Sequence, residues 1–201
     1  MVARSDVANL VAVCLLSTFS YIAFYIVGYS GPRFLNEGYC LNSEVNAKQH
    51  CVFEKTVLFD IGVVSLAEPF SICIAIVLVE VIGRRKTFFM SVILSLVFST
   101  TLYFCAGQHL AFMTLMRMGT TQLSWSPTLL GAEYFPTSIR SFVMGLHVSC
   151  CRVGASLGVL CVQFVFNYSP RLLLGILQVA VVLSGLCLVQ LKRETMGTHL
   201  T

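Results

Sequence analysis

The sequence predicts an all-α membrane protein with six transmembrane helices, and three observations carry that reading. Of its 201 residues 57% are hydrophobic and 11% charged, where a soluble domain carries about 25% charged residues. The apolar residues fall into runs of roughly 20, the length that crosses about 30 Å of hydrocarbon at 1.5 Å per residue. The runs lack the period-two alternation of a barrel strand. Because an unpaired backbone group is costly in hydrocarbon, they must then be helices.

The elements follow in chain order. Arg4 precedes the first run, but Val7 to Val27 is too long for a signal peptide and has no small-x-small cleavage site, so it forms the first span, 8–30. A loop over 31–56 leads to the second span, 57–81, which contains Asp60, Glu68 and Pro69. The third span, 88–106, turns at Gly107-Gln108 into the fourth, 109–131, which contains Arg117 and is interrupted at Trp125-Ser126-Pro127. A proline inside a helix removes a backbone hydrogen bond and bends it. The fifth span, 142–166, contains Arg152, and its Gly154 and Gly158 give the small-xxx-small spacing that lets helices approach closely. Tyr168-Ser169-Pro170 turns the chain into the sixth span, 170–191.

The net charge of +4 bears on topology and not on nucleic acid. Seven basic residues (Arg4, Arg84, Arg85, Lys86, Arg140, Lys192 and Arg193) fall on one side of the membrane, and four (Arg33, Lys48, Lys55 and Arg171) on the other. The positive-inside rule then puts both termini in the cytoplasm and the 31–56 loop outside or in a lumen. Seven of the nine cysteines lie in spans, where packing is the expected role. Cys40 and Cys51 share the exterior loop, where an oxidising medium permits a disulfide. Neither metal-ligand spacing nor a cofactor or catalytic motif appears, so no metal, cofactor or enzyme activity is expected. The single histidines, His147 among them, read as solvated or packed.

Charges within spans carry the functional signal. Asp60, Glu68, Arg117 and Arg152 lie in apolar runs, and a charge at a helix centre costs about 2.5–3.5 kcal/mol on insertion scales. Such groups face a partner, a bundle interior or a water-filled path, so all four are candidate substrate or proton-coupling residues. Glu68 and Arg152 come to similar depth when counted from opposite ends of their spans, each with flanking serines, and are expected to face a central cavity. Glu80 and Glu133 gather with Arg84, Arg85 and Arg140 at one membrane face, where partial desolvation favours a gate of paired charges.

Three segments resemble the major facilitator superfamily. Glu80, Gly83, Arg84 and Arg85 resemble its acidic-x-x-Gly-Arg-Arg loop signature, and Glu133, Pro136, Thr137 and Arg140 resemble the Glu-x-x-Pro-Thr-x-x-Arg segment after its tenth helix. Arg193 to Gly197 is similar to the tail after the twelfth helix. Leu66 to Glu68, Cys151 to Ala155 and the cysteine-containing loop bring the synaptic vesicle 2-related group nearest, with organic cation and anion carriers next. Glu80, Val81, Arg193 and Met196 depart from the usual residues. The resemblance implies the C-terminal six-helix half of a major facilitator fold in a vesicle or plasma membrane. As function it implies a secondary carrier for a small organic solute or ion. The expected partners are the lipid bilayer, the substrate, and a missing N-terminal half or a full-length carrier. Two other readings are a non-transporting half that regulates a full-length carrier and a half-transporter that pairs with itself.

Overall fold

The computed structural model describes residues 4–40, 55–104, 109–135, 137–166 and 168–191. Six helices, α1 (Arg4–Cys40), α2 (Lys55–Ile82), α3 (Arg84–Phe104), α4 (His109–Tyr134), α5 (Thr137–Val165) and α6 (Pro170–Gln190), account for nearly all of them, and no strand occurs among the described residues. All but α4 are long and apolar enough to cross a membrane. The chain is thus an integral, multi-pass, all-α membrane protein. α1 outruns its expected end at 30 and continues as helix through Pro32 to Cys40. A proline interrupts one backbone hydrogen bond without having to end the helix. Cys40 and Cys51, with the proposed bridge between them, lie outside the residues whose side chains are described.

The tight connections are encoded locally. Gly83 alone separates α2 from α3 at φ 99°, a conformation that a Cβ would strain. Its carbonyl accepts from the Thr87 backbone at 3.1 Å and hydroxyl at 2.9 Å, closing the first turn of α3. Before α6, Ser169 is extended and its hydroxyl accepts from Leu172 N at 3.4 Å, with Pro170 filling the first helical position.

α1 packs on α4, α5 and α6, and α4 also touches α2, α3 and α5. The α1–α5 seam depends on missing side chains. A Cβ at Gly154 would stand 2.5 Å from the Thr18 carbonyl oxygen, and one at Gly158 would stand 3.0 Å from that of Ile22. Hydrocarbon supplies no hydrophobic drive between helices, so close backbone packing of this kind is a main source of adhesion.

α4 is polar where α2 is apolar, and their burial is reversed. Thr120, Thr121, Gln122, Ser124 and Ser126 of α4 are buried, while Leu66, Phe70, Ile76 and Val77 of α2 are exposed. The buried α4 hydroxyls donate to carbonyls of their own preceding turn, as Thr121 does to Arg117 O at 2.7 Å. Gln122 completes a link across three helices, accepting from Ser91 of α3 at 2.8 Å and donating to Ser71 O of α2 at 3.4 Å. Composition follows solvent here: the polar helix is enclosed by protein and the apolar helix is left outside.

Candidate functional site

Two candidate sites lie part-way along the helices, one closed around an ion pair and one open. In the closed site Glu68 of α2 pairs with Arg117 of α4. One carboxylate oxygen, Oε1, accepts from Arg117 Nε at 2.7 Å and from Nη2. The guanidinium also donates from Nη1 to the Phe24 carbonyl of α1 at 2.9 Å and rests on the Phe24 ring, 4.2 Å from its centre. Gly28 makes the room, since a Cβ there would stand 2.6 Å from Nη1. One side chain therefore ties α1, α2 and α4. Arg117 is 11% exposed and Glu68 33%, and both ends of the pair border the small neighbouring cavity lined by Gly31, Ile61 and Ser65, the carboxylate being the more open of the two.

The open site is a cleft of about 460 Å³ between α1, α4 and α5. Tyr21, Phe24 and Tyr25 of α1 form one wall, with Trp125 and Thr128 of α4 and His147, Cys151 and Arg152 of α5 around it. Spacing explains the wall, because residues four apart share a helix face. Tyr21 and Tyr25 stack with ring centres 6.3 Å apart, Tyr25 and Tyr29 at 6.0 Å, and Phe24 meets Tyr25 edge-on at 5.5 Å. Phe24 joins the sites, for its ring lines the cleft and carries the Arg117 contact.

His147 fixes the floor of the cleft. Its Nδ1 lies 2.7 Å from Ser17 Oγ and its Nε2 3.0 Å from Thr128 Oγ1. Ser17 also donates to Val13 O at 2.6 Å. The assignment that satisfies every group has Nδ1–H donating to Ser17 and Nε2 accepting from Thr128. A histidine read from sequence as merely packed therefore joins α1, α4 and α5.

Glu68 and Arg152 lie equally far along their helices, thirteen residues from the start of α2 and from the end of α5 respectively. They do not meet: α2 and α5 have no contact among the described residues, because α1 and α4 lie between them. The convergence expected of this pair is corrected to a Glu68–Arg117 pair, with Arg152 exposed in the cleft. Their flanking serines divide as well. Ser71 donates across to Met118 O at 2.8 Å, whereas Ser65, Ser149 and Ser156 donate within their own helices. Asp60, eight residues before Glu68 on α2, is half-buried and takes part in polar interactions of its own.

At the end where α2 meets α3, Arg84 pairs with Glu133 at the end of α4. Arg85 donates to Val189 O of α6 at 3.1 Å, and Arg140 donates to Phe135 O at 3.4 Å while its buried Nε finds no partner among the described residues. Glu80 is exposed and forms no ion pair among the described residues. Of the expected cluster of paired charges, one ion pair and two bonds to backbone carbonyls are seen among the described residues, and Glu133 takes part in further interactions of its own.

Sequence reasoning passed over the aromatic wall, Gly28 and the bridging role of His147. The stripe Tyr21, Tyr25, Tyr29 at four-residue spacing was the available signal for the first. Gly28, four residues beyond Phe24, carries no signal until Arg117 is placed beside it.

Comparison with known proteins bears on what such an arrangement serves. The profile of a family described as sugar (and other) transporter matches residues 45–200. Of individual proteins, svop-1 of Caenorhabditis elegans, whose name calls it a transporter, is 26% identical over 147 residues. That stretch is 71% of this chain and 28% of svop-1, so the chain spans well under two thirds of this relative.

Proposed function

The chain belongs to the sugar (and other) transporter family, and on that premise we propose that it is one six-helix half of a secondary carrier for a small organic solute or ion. The cleft between α1, α4 and α5 is the observation that carries the reading. Charged and aromatic side chains line it part-way along three helices, of which α1 and α5 are long and apolar enough to cross the bilayer, and carriers hold their substrates near that level between two halves. Arg152 then contacts the solute. Glu68 and Arg117 are the coupling pair: protonating Glu68 loosens α4 from α2, and competing for Arg117 loosens it from α1 as well, which lets the half rock. Asp60, on the same helix as Glu68, belongs to this path. Glu80, Gly83, Arg84, Arg85, Glu133 and Arg140 form the cytoplasmic gate, with both termini on that side in a vesicle or plasma membrane. The exposed apolar face of α2 takes lipid and an N-terminal half or full-length carrier as partner.

The test is uptake of labelled sugars, organic cations and organic anions into vesicles bearing the chain, alone and co-expressed with svop-1, under an imposed proton gradient. Saturable uptake of one class is expected, with its pH dependence lost in Glu68→Gln. Uptake that keeps its pH dependence in that variant removes the coupling role, and no saturable uptake of any class removes the carrier.

A further inference from the structure

We infer that the cleft between α1, α4 and α5 selects a flat organic anion, with Arg152 as its charge partner and the aromatic wall as its stacking surface. The inference rests on reading that cleft as a solute site, and it names the class of solute.

Charge balance comes first. Of the charges within the helices, Glu68 and Arg117 neutralise each other, and Asp60 lies on α2, which does not touch α5. Arg152 lines the cleft with no carboxylate in ion-pair range among the described residues. The titratable groups that line the cleft with it are Tyr21, Tyr25, His147 and Cys151, and none of them is a carboxylate. A guanidinium without a counter-charge at mid-membrane depth is costly, and an anionic solute offsets that cost where a neutral one does not. A cation would be drawn to the rings but repelled by Arg152.

The walls select the rest of the molecule. Trp125 is 47% exposed and faces the ring stack of α1 across a cleft of about 460 Å³, within the range of small-molecule sites. A neutral sugar would leave the Arg152 charge unanswered. Thr128 and His147 are already bonded to each other, and His147 also to Ser17. What remains is aromatic surface edged by the Tyr21 and Tyr25 hydroxyls and the Trp125 indole N–H, together with one cation, which suits a planar ring bearing a carboxylate or sulfonate.

Trp125 is the sole tryptophan in the chain and borders both this cleft and a cavity of about 210 Å³ that contains Glu80 and Arg84, so quenching in the purified 201-residue chain in neutral detergent is assigned to the cleft by its dependence on Arg152. Three probes with the same quenching ring separate the alternatives: 4-nitrobenzoate, 4-nitrobenzyl alcohol and 4-nitrobenzyltrimethylammonium. The anion should quench Trp125 saturably at a concentration at least about tenfold lower than the alcohol, with the cation weakest. That order should persist in Arg152→Lys, and the anion and alcohol curves should merge in Arg152→Gln. Equal quenching by anion and alcohol in the unaltered chain would overturn the proposal, as would an anion advantage that survives Arg152→Gln. If sulfate displaces 4-nitrobenzoate as strongly as benzoate does, the aromatic wall has no part in selection and the proposal also fails. Anion-selective quenching without uptake removes the carrier and leaves this inference standing. Uptake of neutral solutes without anion preference does the reverse.

Discussion

Arg117 and Arg152 both sit within helices of a membrane protein, yet their surroundings are opposite. Arg117 has a carboxylate, a backbone carbonyl, a ring face and a glycine-made niche. Arg152 opens onto a cleft and has no carboxylate partner among the described residues. The first is enclosed by structure and the second is exposed. A charge inside a membrane is thus not one kind of signal: what it can do depends on whether the protein itself has already neutralised it.

The contrast makes ordered predictions for unfolding of the purified chain, followed by denaturant titration in detergent. Arg117→Gln should have the largest effect. It leaves Glu68 unpaired and should cost about 3 kcal/mol, the low end for a broken buried pair because Glu68 is 33% exposed. The double variant Glu68→Gln/Arg117→Gln should recover most of that loss. If it is no more stable than Arg117→Gln alone, the pair is not what holds the closed site.

Gly154→Ala comes next. The new methyl meets backbone, 2.5 Å from the Thr18 carbonyl, so α1 and α5 must separate and about 2 kcal/mol should be lost. The open cleft should widen with it, visible as a change in Trp125 emission. Gly28→Ala should cost less, about 1 kcal/mol, because the atom it meets is the far end of a flexible arginine. That cost should vanish in an Arg117→Gln background, since neighbours that share a contact are not additive. A penalty that persists there would mean that Gly28 serves something other than the guanidinium. Smallest of all, Arg152→Gln should not destabilise the chain, since it removes an exposed charge that no carboxylate neutralises among the described residues. If it destabilises as much as Arg117→Gln, the distinction between the two arginines collapses.

The fold was largely legible because solvent dictates it: runs long enough to span the bilayer, separated by Gly83, Ser169 and their neighbours, leave few alternatives. The passage of α1 through Pro32 was not legible, since proline marks a lost bond and not an end. The site was legible in part. Physical cost alone picks out Glu68, Arg117 and Arg152, and helical rise gives their depths. Pairing depends on which helices are neighbours and how each is rotated, and neither is written in the spacing within a single helix. Glu68 and Arg152 therefore matched in depth while α1 and α4 stood between them. His147 was missed for the same reason, because its partners Ser17 and Thr128 come from two other helices.

The enclosed polarity of α4 also constrains how the protein is made. α4 alone among the six helices falls short of the apolarity needed to cross a membrane, and Arg117 alone adds up to about 2.5–3.5 kcal/mol against its insertion. Synthesis runs from the amino terminus, so Glu68 on α2, Phe24 on α1 and the Gly28 niche all precede Arg117 out of the ribosome. α4 can then leave the translocation channel against helices that already hold its counter-charge, and the same segment presented by itself should slip through into the lumen. The ion pair is in this sense an assembly instruction, which sets an order of integration that rearranging the helices along the gene would break.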